Sequence, residues 1–221
     1  MTTELNEKRV APKSGQTKSV VVFVHGFGAD GNDLLSLAEP LAEHLPDTLF
    51  VAPDAPERCS VNPSGYQWAP IPAFDGTSLE AAEEAFLRST ELFDAYLTSL
   101  LDEIGLTDAD LILFGFSQGT MLSLHVGPRR PNAIAGIAGF SGRLLFEERF
   151  ESEIQSKPPV LLVHGDADDV VAFTFMEAAG GVLAKAGFST YGHVMKGTGH
   201  GISPEGLGVA LRFIQDCLSP S

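Results

Sequence analysis

The chain has 221 residues with 29 acidic and 14 basic side chains, a formal net charge of −15, and is 44% hydrophobic and 19% charged. That length and composition suit one globular domain with a substantial core and exclude a disordered chain. So acidic a surface repels phosphate backbones and anionic headgroups, which argues against nucleic acid as a partner and against stable membrane insertion.

The opening MTTELNEKRV lacks the apolar stretch of a secretory signal. No segment reaches the length that crosses a bilayer. Residues 1–17 are polar and are expected to be loosely held, with 18–221 forming a single domain. Val20 to Val24 is a continuous Val-rich run, as in a strand covered on both faces. A glycine-rich loop, His25-Gly26-Phe27-Gly28, follows it. Leu34, Leu37, Leu41 and Leu45 recur at helical spacing, with Pro40 as a potential break. Leu49 to Ala52 reads as a second strand. The proline-rich stretch 53–76 holds the only Trp, Trp68, and is the kind of long loop that is either functional or mobile. Thr77-Ser78-Leu79-Glu80 then opens a helix that runs to Ile104 and stops at Gly105.

Leu111 to Phe114 is the next strand, and Gln118 to Val126 a helix ended by Gly127-Pro128. The basic pair Arg129-Arg130 reads as a solvated helix end. Strands follow at 133–140 and 160–163, a helix at about 173–186, a strand near 190–195, and a last helix from about Pro204 to Leu218. Strands alternating with helices predict an α/β fold, a mostly parallel central sheet with helices on both faces and no large cap domain.

In such sheets ligands bind beyond the carboxyl ends of the strands. Four glycine-rich loops fall there, at 25–28, 115–119, 164–169 and 197–201. The second, Gly115-Phe116-Ser117-Gln118-Gly119, is a G-x-S-x-G sequence between a strand and a helix. A serine hydroxyl attacks only when a sharp turn lifts it off the strand and a base takes its proton, so Ser117 is the candidate nucleophile. A plain helix N-cap is the alternative reading of that serine. Ser141, in Gly139-Phe140-Ser141-Gly142, lacks the second spaced glycine and reads as a turn residue. In the third loop Asp166, Asp168 and Asp169 compete as the acid, and residue chemistry alone leaves the choice open. Of six histidines, His25 and His164 read as partly buried loop-shaping residues, His44 and His125 lie on helices, and His193 lies within a strand. His200, on the turn Gly199-His200-Gly201, is free to reach over the sheet edge and is the candidate base.

The order Ser, Asp, His, together with HGFGADGNDLL (25–35), GFSQGTM (115–121), HGDADDVV (164–171) and GHGIS (199–203), resembles the phospholipase, carboxylesterase and acyl-protein thioesterase family of the α/β-hydrolases, in a short bacterial form. The resemblance implies a serine hydrolase that cleaves carboxylic esters or thioesters, with Ser117 as nucleophile, His200 as base and Asp168 as the acid. It also implies that the backbone N–H groups of Phe27 and Gln118 form the oxyanion hole. Trp68, Ile71 and Phe74 either pin the long loop or wall an acyl pocket, and the Phe27 side chain is a further candidate for that wall. The substrate expected is a small neutral ester. No cofactor or metal is expected, since neither aspartate-rich cluster has the spacing of a calcium loop. Cys59 and Cys217 lack a CxxC spacing and read as free thiols of a cytoplasmic protein, monomeric or homodimeric. Rival readings are a lysophospholipase or acyl-protein thioesterase on the same site, a dienelactone-hydrolase-like enzyme, whose elbow carries cysteine, and a non-catalytic binder.

Overall fold

The computed structural model describes residues 5–219. Its elements in chain order are β1 (Glu7–Val10), β2 (Ser19–Val24), α1 (Gly31–Leu35), α2 (Ala38–Ala42), β3 (Thr48–Pro53), β4 (Glu57–Arg58), β5 (Tyr66–Gln67), α3 (Pro72–Asp75) and α4 (Leu79–Ile104). There follow β6 (Leu111–Phe116), α5 (Gln118–Val126), β7 (Gly136–Phe140), α6 (Glu147–Glu153), β8 (Val160–Gly165), α7 (Thr174–Lys185), β9 (Thr190–Met195) and α8 (Pro204–Leu218). Seven strands form one sheet in the order β1-β3-β2-β6-β7-β8-β9, and all adjacent pairs except β1–β3 are parallel.

The apolar runs become strands because both sheet faces are covered. Every residue of β2, β3, β7 and β8 is buried. The period of two sorts them into two cores. Val20, Val22, Val24, Leu111 and Leu113 pack with Phe93, Leu97 and Leu100 of α4, Leu122 of α5 and Leu183 of α7. Val21, Phe23, Ile112, Phe114, Phe140 and Val163 pack with Leu34, Leu41, Ala210, Phe213 and Ile214 on the other side. α4 begins where the Ser78 hydroxyl accepts from the Ala81 N–H at 3.1 Å and ends at Gly105 with φ 70°. The leucine-spaced segment divides into α1 and α2 at Ser36–Leu37 and not at Pro40, which lies in the first turn of α2, where its missing N–H costs no bond.

Three expectations need correction. Part of the segment taken as loose is the edge strand β1, paired antiparallel with β3 from Glu7↔Pro53 to Val10↔Phe50; residues 1–4 lie outside the described residues. Its polar side chains hide it, because they serve as ionic anchors: Lys8 on buried Asp54, and Arg9 on Glu103 at 2.7 Å. Arg130 is not solvated. It is 6% exposed and paired with Asp108 at 2.6 Å and with Asp94.

The third correction concerns Trp68. It is 0% exposed, so it walls no open pocket. Its indole N–H donates to the His25 carbonyl at 3.0 Å, its ring meets Phe93 edge-on at 5.3 Å, and its carbonyl accepts from Ser89. The proline-rich stretch is thereby tied to both α4 and the loop after β2. Trp68→Ala is expected to lower the unfolding free energy by about 3–5 kcal/mol in denaturant titration. A loss below about 1 kcal/mol would mean that the ring does not anchor the stretch.

Candidate active site

Since β2, β6, β8 and β9 are parallel, the loops that follow them emerge at one sheet edge. Ser117 joins β6 to α5 with φ 53° and ψ −115°, a conformation an L residue adopts only under constraint. The constraint is close packing. A Cβ on Gly119 would overlap the Val24 carbonyl oxygen, and one on Gly115 would lie 2.6 Å from the Thr120 nitrogen. The Ser117 N–H is held by the Phe140 carbonyl at 2.9 Å. Although Ser117 occupies the N-cap position, its side chain makes no capping hydrogen bond, so the plain N-cap reading does not describe it.

The aspartates separate by their partners. Asp168 Oδ2 accepts from His200 Nδ1 at 2.8 Å, while its Oδ1 accepts from the N–H groups of Val170 and Val171, both at 2.9 Å. Asp166 accepts from the Gly197 N–H at 2.6 Å and ties the two loops together, and Asp169 is exposed. The loops touch so closely that a Cβ on Gly165 would overlap the Thr198 carbonyl oxygen. Burial pushes the Asp168 carboxyl up, but the hydrogen bonds from His200 and from the Val171 and Val170 amides outweigh it and hold the group below its usual range. Asp168 is therefore an anion whose spare oxygen fixes the proton of His200 on Nδ1 and leaves Nε2 as the basic atom.

The His200 ring lies tilted against Phe116, the residue preceding Ser117, with 4.9 Å between ring centroids. Among the described residues the Ser117 hydroxyl makes no hydrogen bond to His200; such contacts commonly close only around substrate. The N–H groups of Phe27 and Gln118 donate to no group among the described residues. Both are held from behind. The Gln118 side chain accepts from the Trp68 N–H at 2.8 Å and donates to the Ala69 carbonyl at 2.9 Å. The Phe27 loop is pinned by Gly28 N–H to the Tyr66 carbonyl at 2.8 Å and by His25. His25 Nδ1 donates to the Gly26 carbonyl at 2.8 Å and its Nε2 accepts from the Ala55 N–H at 3.0 Å. Burial holds this imidazole below its ordinary value, against the opposing pull of the Gly26 carbonyl, so it stays neutral and structural.

Exposed apolar side chains lie next to the Phe27 and Asp168 loops. Phe74 is 57% exposed and lies 5.8 Å from the half-buried Phe27 ring, with half-buried Ile71 opening the same short helix α3. Val170, in the loop that carries Asp168, is 60% exposed, and the Arg143 guanidinium sits 5.4 Å over the Phe175 ring. Sequence reasoning missed the Arg143–Phe175 contact, for those two residues carry no motif and meet only in the fold. An open cavity of about 430 Å³ lies beside the Phe27 loop, lined by residues such as Gly28, Asp30 and Asn62 but by none of Ser117, Asp168 or His200. Among the described residues no three His, Cys, Asp or Glu side chains are grouped to hold a metal ion. Both cysteines are free, and burial together with Asp216 pushes the Cys217 thiol up to about 11. Among the described residues no helix is long and apolar enough to cross a membrane.

If Asp168 is the acid, Asp168→Asn should lower kcat on a p-nitrophenyl ester by about three to four orders of magnitude, as expected when the imidazole loses tautomer control. Asp169→Asn should leave the rate near that of the unaltered protein. Equal losses in the two variants would contradict the assignment.

A family model described as phospholipase/carboxylesterase matches residues 5–218. The crystal structure of esterase PE8 is similar with a TM-score of 0.92 and 41% identity, covering 97% of this chain and 99% of that one. A probable carboxylesterase of Oryza sativa subsp. japonica is 30% identical over 96% of this chain and 82% of its own length. Acyl-protein thioesterase 1 of Debaryomyces hansenii is 27% identical over 95% of this chain and 96% of its own length. With the mostly parallel seven-stranded sheet, these likenesses make the chain an α/β-hydrolase that belongs to the phospholipase/carboxylesterase family.

Proposed function

We propose that this hydrolase cleaves small carboxylic esters through an acyl-enzyme on Ser117, with His200 as general base and acid and Asp168 as its orienting anion. The observation that carries the reading is the 2.8 Å hydrogen bond from His200 Nδ1 to a buried carboxylate whose second oxygen two backbone amides already occupy. That arrangement lies at the sheet edge where the Ser117 elbow leaves a hydroxyl without a capping bond.

In the proposed reaction His200 Nε2 takes the Ser117 proton as Oγ attacks the ester carbonyl. The imidazolium is stabilised by Asp168, which stays ionised. Negative charge gathers on the carbonyl oxygen, where the Phe27 and Gln118 N–H groups would meet it, each donor accounting for roughly 100- to 1000-fold in rate. His200 then returns its proton to the leaving alcohol. Water, activated by the same imidazole, hydrolyses the acyl-enzyme. Phe74, Ile71 and the Phe27 ring are the proposed apolar wall for the substrate. A thioester is the second reading, supported by the relatives named acyl-protein thioesterase 1.

Ser117→Ala is expected to lower kcat by about four to six orders of magnitude with folding intact. Undiminished turnover by the purified variant would remove Ser117 from the reaction. A panel of oxygen esters and thioesters of graded acyl length separates the two readings: a peak at short oxygen esters supports the first, and a peak at long-chain thioesters replaces it with the second. Phe74→Ala should move the preferred acyl length while changing stability by less than about 1 kcal/mol, because the ring is more than half exposed. An unaltered length profile would take Phe74 out of the pocket.

A further inference from the structure

We propose that His164, at the end of β8, is a positioning residue for Asp168; the inference rests on the catalytic reading of Asp168 given above. His164 is 1% exposed, and its ring is held edge-on against Phe173 at 6.0 Å. Its Nε2 lies 2.9 Å from the Val171 carbonyl oxygen and 3.2 Å from Asp168 Oδ2, on an acid whose side chain is itself 0% exposed.

Both neighbours of that nitrogen are oxygens, and a carbonyl oxygen only accepts. A lone pair on Nε2 would face two electron-rich atoms in a buried spot. The proton therefore sits on Nε2, and the N–H aims at Val171 with Asp168 Oδ2 beside it.

This closes a ring of contacts. Val171 gives its N–H to Asp168 Oδ1 at 2.9 Å and its carbonyl to His164, so His164 holds the residue whose amide holds the carboxylate. With Oδ1 locked, Oδ2 points at His200 Nδ1. The His164 N–H also lies next to Oδ2, where it opposes proton transfer from His200 to Asp168 as the imidazole charges. The other acids nearby are spoken for: Asp166 is bound to the Gly197 N–H, and Asp169 faces solvent.

The test joins a spectrum to kinetics. Nitrogen–proton correlation spectra of the intact protein labelled with ¹⁵N-histidine locate the ring protons directly, and the expected form of His164 carries a proton on Nε2. His164→Leu, which has no donor, should lower kcat on a short p-nitrophenyl ester by about tenfold or more, the scale of a lost hydrogen bond to a charged site, with KM little changed. It should also shift the downfield proton signal of the His200–Asp168 bond. His164→Gln, which keeps an N–H, should recover most of the rate. A His164 tautomer bare at Nε2 would overturn the proposal. So would a folded Leu variant with normal kcat, or a Gln variant no faster than Leu. Should the Leu variant fail to fold, the tautomer in the unaltered protein and the rate of the Gln variant still decide. Full activity in Ser117→Ala would instead sink the catalytic reading, and it would leave the tautomer result standing.

Discussion

The structure turns on how tightly the start of α5 is pressed against the end of β2. Holding Ser117 at φ 53° costs on the order of 1–3 kcal/mol, and such a residue persists only where its surroundings over-determine it. Here they do. Gly119 lies against the Val24 and His25 carbonyls with no room for a Cβ, the Ser117 N–H is tied to Phe140, and Thr120 Oγ1 donates to the same carbonyl at 2.8 Å. The parallel register Val20↔Leu111 through Val24↔Gly115 sets where this contact falls. Gln118, the next residue, is fixed through its side chain by the Trp68 N–H and the Ala69 carbonyl.

Around that point burial and hydrogen bonds fix the charge of His25 and of Asp168. His25 is neutral because it must accept from Ala55 while donating to Gly26. Asp168 is anionic because three N–H groups converge on it despite burial. Elsewhere the same logic stabilises the frame: buried Arg130 with Asp108 and Asp94, and Asp54 with the Gly31 N–H at 2.8 Å. His125 is the exception. Burial and nearby Arg129 push its imidazole down to about 4, its Nδ1 has no hydrogen-bond partner among the described residues, and Phe86 and Phe146 pack against it edge to face. Its low folded value means that it contributes full stability above its ordinary value near 6.5, lost progressively as pH falls toward 4.

What was legible in the sequence follows the same physics. Strands buried on both faces announce themselves as apolar runs, so β2, β6 and β8 could be read directly, and Gly105 and Gly127-Pro128 marked helix ends. Edge strand β1 could not, since its polar residues are used for ion pairs with partners far along the chain. Helix α6 was equally hidden: Phe150 alone is buried in it, which leaves no apolar period to detect. The motifs pointed to Ser117 and His200 because backbone shape and local sequence are coupled at an elbow and a glycine turn. The choice among Asp166, Asp168 and Asp169 depends on contacts with residues 197–200, and composition carries no trace of those. Trp68 shows the same limit, for one aromatic residue in a proline-rich stretch suits a pocket wall as well as a buried anchor until its indole N–H is seen on the His25 carbonyl.

The most direct measurement of the central claim is the site of reaction with a fluorophosphonate, read by peptide mass spectrometry of the intact protein. The account predicts a single stoichiometric adduct on Ser117. An unlabelled protein, or an adduct on another serine such as the buried Ser141, would contradict it.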